Sequence, residues 1–79
     1  MRVQIKLIDI FRDFLPPGVS FSDFRLEFQE GATIGDIFVR LAIPGDLQRF
    51  IFCNGRAADA DQLLNDGDVV AIFSPIFGG

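Results

Sequence analysis

The chain predicts an α+β fold, a mixed sheet with one main helix packed across one face, and three observations carry that prediction. Residues 2–8 and 23–29 alternate polar with apolar side chains, the period of two that belongs to half-buried strands. Between residues 33 and 42 the apolar positions recur every three or four residues, which draws one stripe along a helix. A further strand-like run, Val69-Val70-Ala71-Ile72-Phe73, stands near the end. A sheet with a helix laid across it buries both apolar surfaces at once, so the class follows from the two periods.

A chain of 79 residues supports one hydrophobic core, so the prediction is a single domain spanning residues 1–79. Ten Phe and a hydrophobic fraction of 49% argue for an ordered globule, and also for more large apolar side chains than so small a body hides. Some of those rings are expected on the surface, with Phe14, Phe21 and Phe77 as candidates because each lies near Pro or Gly. The net charge is −4 and the basic residues are scattered, which argues against a nucleic-acid partner. No run of about 20 apolar residues offers a membrane span, and Met1-Arg2-Val3-Gln4-Ile5-Lys6 lacks the apolar core of a signal peptide. The expected location is cytoplasmic. One Cys and no His leave no zinc set, no bound cofactor in prospect, and no Ser–His or Cys–His pair for catalysis. Cys53 reads as a small buried hydrophobe without a role.

Taken in order, Arg2, Gln4 and Lys6 alternate with Val3, Ile5 and Leu7 to make the first strand. The alternation fails from Ile8 onward, and Pro16-Pro17-Gly18 ends regular structure by removing two donors, which leaves a connection with helical-turn character. Asp23, Arg25, Glu27 and Gln29 then alternate with Phe24, Leu26 and Phe28, a strand expected to pair antiparallel with the first. Thr33 and Asp36 have capping-box spacing, so a helix is predicted from Thr33 to about Leu41, with Ile34, Ile37, Phe38, Leu41 and Ala42 on its apolar stripe. Pro44-Gly45 is the expected stop. Residues 48–53 read as a third strand, Asn54-Gly55 as a turn, residues 56–58 as a short strand, and residues 60–64 as a single helical turn. Asn65-Asp66-Gly67-Asp68 is a second turn signal before the last strand, with both aspartates expected to bond nearby backbone. The predicted core is Val3, Ile5, Leu7, Ile34, Ile37, Phe38, Leu41, Val70 and Ile72, which puts Val69, Ala71 and Phe73 on the opposite face.

After Phe73 the chain runs Ser74-Pro75-Ile76-Phe77-Gly78-Gly79. A glycine pair at the end has no turn left to make, so its use is to be narrow, a peptide free of side chains whose carboxylate threads into a partner's slot. Residues 76–79 are therefore expected to form a flexible tail.

Asn54-Gly55-Arg56, the run from Leu64-Asn65-Asp66-Gly67-Asp68 through Val69 to Pro75, Thr33-Ile34-Gly35-Asp36-Ile37 and the final Gly78-Gly79 resemble the prokaryotic sulfur-carrier proteins of the ubiquitin-like β-grasp fold. These are the small subunit of molybdopterin synthase and the thiamine-biosynthesis sulfur carrier. The resemblance covers nearly the whole chain, and the Pro75 tail is more similar to the molybdopterin-synthase subunit. It implies a carrier without catalytic groups of its own, whose Gly79 carboxylate is adenylated and turned into a thiocarboxylate for sulfur donation. It also implies partners: an ATP-using, ubiquitin-activating-like enzyme, a sulfurtransferase or other sulfur donor, and an acceptor such as the molybdopterin synthase large subunit. Pro75, Ile76, Phe77, Gly78 and Gly79 become the tail site. By likeness to the recognition strand of ubiquitin, Ile51 and Phe73 are implied to lie on an exposed partner-binding patch. A thiamine-type or other thio-metabolite carrier, and a ubiquitin-like interaction module without sulfur chemistry, stay open as alternatives.

Overall fold

The first strand, β1 (Arg2–Leu7), sets the frame: Val3, Ile5 and Leu7 point to one side and are fully buried, while Arg2, Gln4 and Lys6 point to the other. The computed structural model describes residues 1–21 and 23–75. The remaining strands are β2 (Asp23–Glu27), β3 (Phe50–Cys53), β4 (Arg56–Ala57) and β5 (Val69–Phe73), in the spatial order β2-β1-β5-β3-β4. β1 runs antiparallel to β2, as expected, and parallel to β5, which makes the sheet mixed.

Register decides which side chains share a face. Ile5 stands opposite Phe24 on one side and Val70 on the other, and Leu7 stands opposite Ile72. Across β5, Ile51 stands opposite Ile72 and Cys53 opposite Val70. Helix α1 (Ile34–Leu41) covers this inner face with Ile34, Ile37, Phe38 and Leu41, and all nine predicted core residues are buried. Burying each such aliphatic or aromatic side chain contributes roughly 1.5–3 kcal/mol, which is what holds an eight-residue helix too short to stand alone.

Thr33 and Asp36 form the predicted capping box, with the Thr33 amide donating to the Asp36 carboxylate at 2.8 Å. The next two amides of the helix, on Ile34 and Gly35, donate to the carbonyls of Gln62 and Ala60 at 2.9 and 2.8 Å. That use of the carbonyls corrects the expected helical turn at residues 60–64. The segment instead makes a turn and an isolated antiparallel bridge from Leu63 to Thr33. Gly35 sits where the two segments meet, since a Cβ there would lie 3.3 Å from the Ala60 carbonyl oxygen.

The helix ends at Leu41, as expected, but the stop is made before Pro44-Gly45 is reached. Ala42 turns left-handed at φ 57°, and its amide and that of Ile43 close on the carbonyls of Val39 and Phe38. This is the 6→1 and 5→2 closure that usually carries glycine. The connection after β1 forms a 3-10 helix (Asp9–Phe14) that buries Phe11, with Phe14 packed on it at 6.3 Å between ring centroids. Phe14 is thus half-buried rather than exposed, whereas Phe21 is 75% exposed. No described helix is long and apolar enough to cross a membrane.

Candidate functional site

The outer face of the sheet, away from α1, divides into two halves. On β2 and β1 it presents Asp23, Arg25 and Glu27 beside Arg2, Gln4 and Lys6, tied together where Gln4 Nε2 donates to Asp23 at 2.6 Å and Arg2 meets Glu27 at 3.4 Å. On β5 and β3 it presents Val69, Ala71 and Phe73 beside Phe50 and Phe52, and carries no charge.

The apolar half is a ring cluster. Phe73 stands 5.5 Å by centroid from both Phe50 and Phe52, with interplanar angles of 54° and 45°. Such tilted pairs hold one another in place at about 0.5–1.5 kcal/mol each, so the patch is preorganised. Phe50 is 49% exposed and Phe52 and Phe73 are half-buried. Ala71, between them on β5, is opposite Phe52 on one side and Lys6 on the other.

Phe73 therefore lies where the sequence placed it, and Ile51 does not. Ile51 is 9% exposed and packs in the core, because pairing with Ile72 turns it to the helix side. The exposed positions of β3 are its neighbours Phe50 and Phe52. Those two were legible as outward-facing only once one residue of the run Phe50-Ile51-Phe52 had been assigned a side, since all three are apolar and give the alternation nothing to act on.

The patch sits at the end of the strand that leads to the tail. Ser74 is buried after β5, and Pro75 is half-buried in a turn. The expectations for Ile76, Phe77, Gly78 and Gly79 lie outside the described residues.

A polar network pins the start of β5. Asn54 is left-handed at φ 54° before Gly55, its side-chain oxygen accepts the Val69 amide at 2.9 Å, and its Nδ2 donates to Asp68 at 2.9 Å. The other Asp68 oxygen accepts the Asn65 amide at 2.8 Å. Asp66 accepts the Arg2 amide at 2.8 Å. Asp68 thus bonds the backbone of its own turn, as expected, whereas Asp66 departs from the expectation and ties the turn to the start of β1. Cys53 lies against this network. Burial first, then the negative charge and hydrogen bond of Asp68, raise its thiol pKa above the ordinary 9.0, with a hydrogen bond to Gln62 acting the other way. Among the described residues no group of His, Cys, Asp and Glu is placed to hold a metal.

A model of the ThiS family matches residues 6–79. No curated relative matches the chain. Among solved structures, the chain is similar to SAMP1 from Haloferax volcanii at a TM-score of 0.77 and 22% identity, over 100% of both chains. It is similar to a putative molybdopterin converting factor subunit 1 from Pyrococcus furiosus at 0.73 and 26%, over 94% of this chain and 97% of that one. It is similar to a chain in the complex of subunits 1 and 2 of molybdopterin-converting factor from Helicobacter pylori at 0.63 and 19%, over 100% of both. The fold is the ubiquitin-like β-grasp.

Proposed function

We propose, from the premise that this chain belongs to the ThiS family of ubiquitin-like sulfur carriers, that Gly79 carries the sulfur as a thiocarboxylate. A carboxylate is a poor electrophile because its charge repels nucleophiles and its oxygen leaves badly. Attack of that carboxylate on the α-phosphorus of ATP, with loss of pyrophosphate, makes an acyl adenylate. Sulfide then displaces AMP to leave the thiocarboxylate, or a persulfide displaces AMP to give an acyl disulfide from which a second thiol releases the thiocarboxylate while itself ending in a disulfide. The chain supplies only the acyl group. ATP belongs to the activating partner, and the sulfur comes from a sulfurtransferase or similar donor.

The observation that carries this reading is the ring cluster of Phe50, Phe52 and Phe73 on the strand that leads directly into Pro75 and the Gly-Gly sequence. An enzyme that modifies the tip of a tail whose last two residues are glycines must hold the globule while residues 76–79 occupy its slot. A preorganised apolar patch separated from those residues by only Ser74 and Pro75 gives it a handle. The acceptor we propose is a molybdopterin synthase large subunit, supported by the likeness to subunit 1 of the Pyrococcus furiosus factor and to a chain of the two-subunit Helicobacter pylori complex.

The test is intact mass. Incubated with its activating enzyme, ATP and a sulfur donor, the chain is expected to gain the difference between one sulfur and one oxygen, localised to Gly79. Deleting Gly79, or replacing Gly78 with a bulky residue, is expected to abolish adenylation without altering the fold. Adenylation retained by the deletion variant would refute the proposal.

A further inference from the structure

An acyl group reactive enough to accept sulfur is also reactive toward amines and thiolates, so a carrier of one is exposed to its own nucleophiles. This chain has no His, one Cys and one Lys. Cys53 is 4% exposed, and its raised pKa keeps it a thiol, whereas the thiolate is the attacking form. The Met1 ammonium donates to the Phe28 carbonyl at 2.9 Å in a partly buried position. The other basic residues are arginines, whose guanidinium stays charged and does not serve as an acyl acceptor.

What is left is Lys6. It projects from the outer face of β1, half-buried, opposite Asp23 on β2 and Ala71 on β5. Ala71 is the residue of β5 that stands opposite Phe52 and precedes Phe73 on the same face. One cross-strand step of roughly 5 Å therefore separates Lys6 from the column that carries the aromatic patch.

We propose that Lys6 is the chain's self-acylation site, and that the partner seated on Phe50, Phe52 and Phe73 closes it. The inference rests on the carrier reading above. In the open state, Lys6 Nζ gives one proton to solvent and attacks the activated Gly79 carbonyl carbon of a second copy. A C–N bond forms, the bond from that carbon to AMP breaks, AMP leaves with the electron pair, and the second amine proton passes to solvent. The product is an isopeptide-linked pair whose acyl end is spent. A partner that covers the patch also covers its neighbouring column, so the surface that presents the tail for activation withdraws the one side-chain amine that would consume it.

The full chain prepared as a C-terminal thioester stands in for the adenylate, with the thiol leaving in place of AMP. Incubated alone, it is expected to form isopeptide products that map to Lys6 by tandem mass spectrometry, and Lys6→Arg is expected only to hydrolyse. Saturating activating enzyme, without ATP, is expected to slow the Lys6 reaction at least tenfold. A Val39→Lys variant, with its new amine exposed on α1 across the sheet from the patch, is expected to keep reacting at residue 39 in the presence of the enzyme. Products at Cys53 or Met1, hydrolysis of the unaltered chain without conjugation, or equal Lys6 reactivity with enzyme bound would each overturn the proposal. Adenylation of the unmodified chain with ATP is measured separately: its failure while Lys6 conjugation and protection persist would sink the carrier reading alone.

Discussion

Ile51 and Phe73 separate the core from the docking surface, and replacing each with aspartate should produce opposite failures. At about 0.05–0.15 kcal/mol per residue, a domain of 79 residues has roughly 4–12 kcal/mol of stability to lose. Ile51 is packed between Ile72 and the helix side of the sheet, and removing its side chain forfeits roughly 1.5–3 kcal/mol of burial. A carboxylate left there without a cation adds several kcal/mol, which protonation relieves only in part. The total is comparable with the whole stability, so Ile51→Asp should show no cooperative unfolding transition in urea at 25 °C. Phe73 is half-buried on the outer face, and its loss removes two ring contacts of about 0.5–1.5 kcal/mol each. Phe73→Asp should therefore fold, with a lower urea midpoint. Its binding to the activating enzyme should weaken by about 2 kcal/mol or more, roughly thirtyfold, as for a central aromatic anchor. Circular dichroism in urea and titration calorimetry read the two effects. Native-like stability of Ile51→Asp would refute the inward assignment of Ile51, and unchanged affinity of a folded Phe73→Asp would remove the patch from the mechanism.

Ala42→Gly should stabilise the chain by about 0.5–1 kcal/mol, because Ala42 holds a left-handed conformation that costs a Cβ-bearing residue roughly 1–2 kcal/mol and its exposed methyl contributes little packing. The readout is a higher urea midpoint at unchanged slope. Asp68→Ala should cost about 2–4 kcal/mol, since it deletes an acceptor bonded to Asn54 and to the Asn65 amide in a buried position, and Asp68→Asn should recover part of the loss. Cys53 binds its proton more tightly folded than unfolded. Its contribution is therefore fully present below the ordinary pKa of 9.0 and is lost as pH rises from there through the raised value. Stability measured across that alkaline window should fall less steeply in Cys53→Val than in the unaltered chain.

Much of the fold was written in local periodicity. Val3, Ile5 and Leu7 alternate with Arg2, Gln4 and Lys6, so the first strand had one possible inner face. The stripe from Ile34 to Leu41 and the Thr33-Asp36 box likewise needed no neighbours to declare a helix and its start. Glycine or asparagine at left-handed positions marked the turns at Asn54-Gly55 and Gly67. Residues 60–64 were misread for a physical reason: a single turn of helix is worth little by itself, and the carbonyls of Ala60 and Gln62 were claimed by the first amides of α1.

By itself the sequence determined the class and the core of β1 and α1, because both segments carry a polar and an apolar side that water sorts without help; β5 is apolar on both sides, so the inward direction of Val70 and Ile72 and the outward direction of Phe73 were fixed by its register with β1. Only the tertiary structure decided the rest. Phe50-Ile51-Phe52 has no polar side to sort, so its facing came from the antiparallel register that sets Ile51 on Ile72 and Phe50 on Phe73. That pairing gathered three rings from two strands distant in sequence into one patch, and the parallel pairing of β1 with β5 brought Lys6 alongside it.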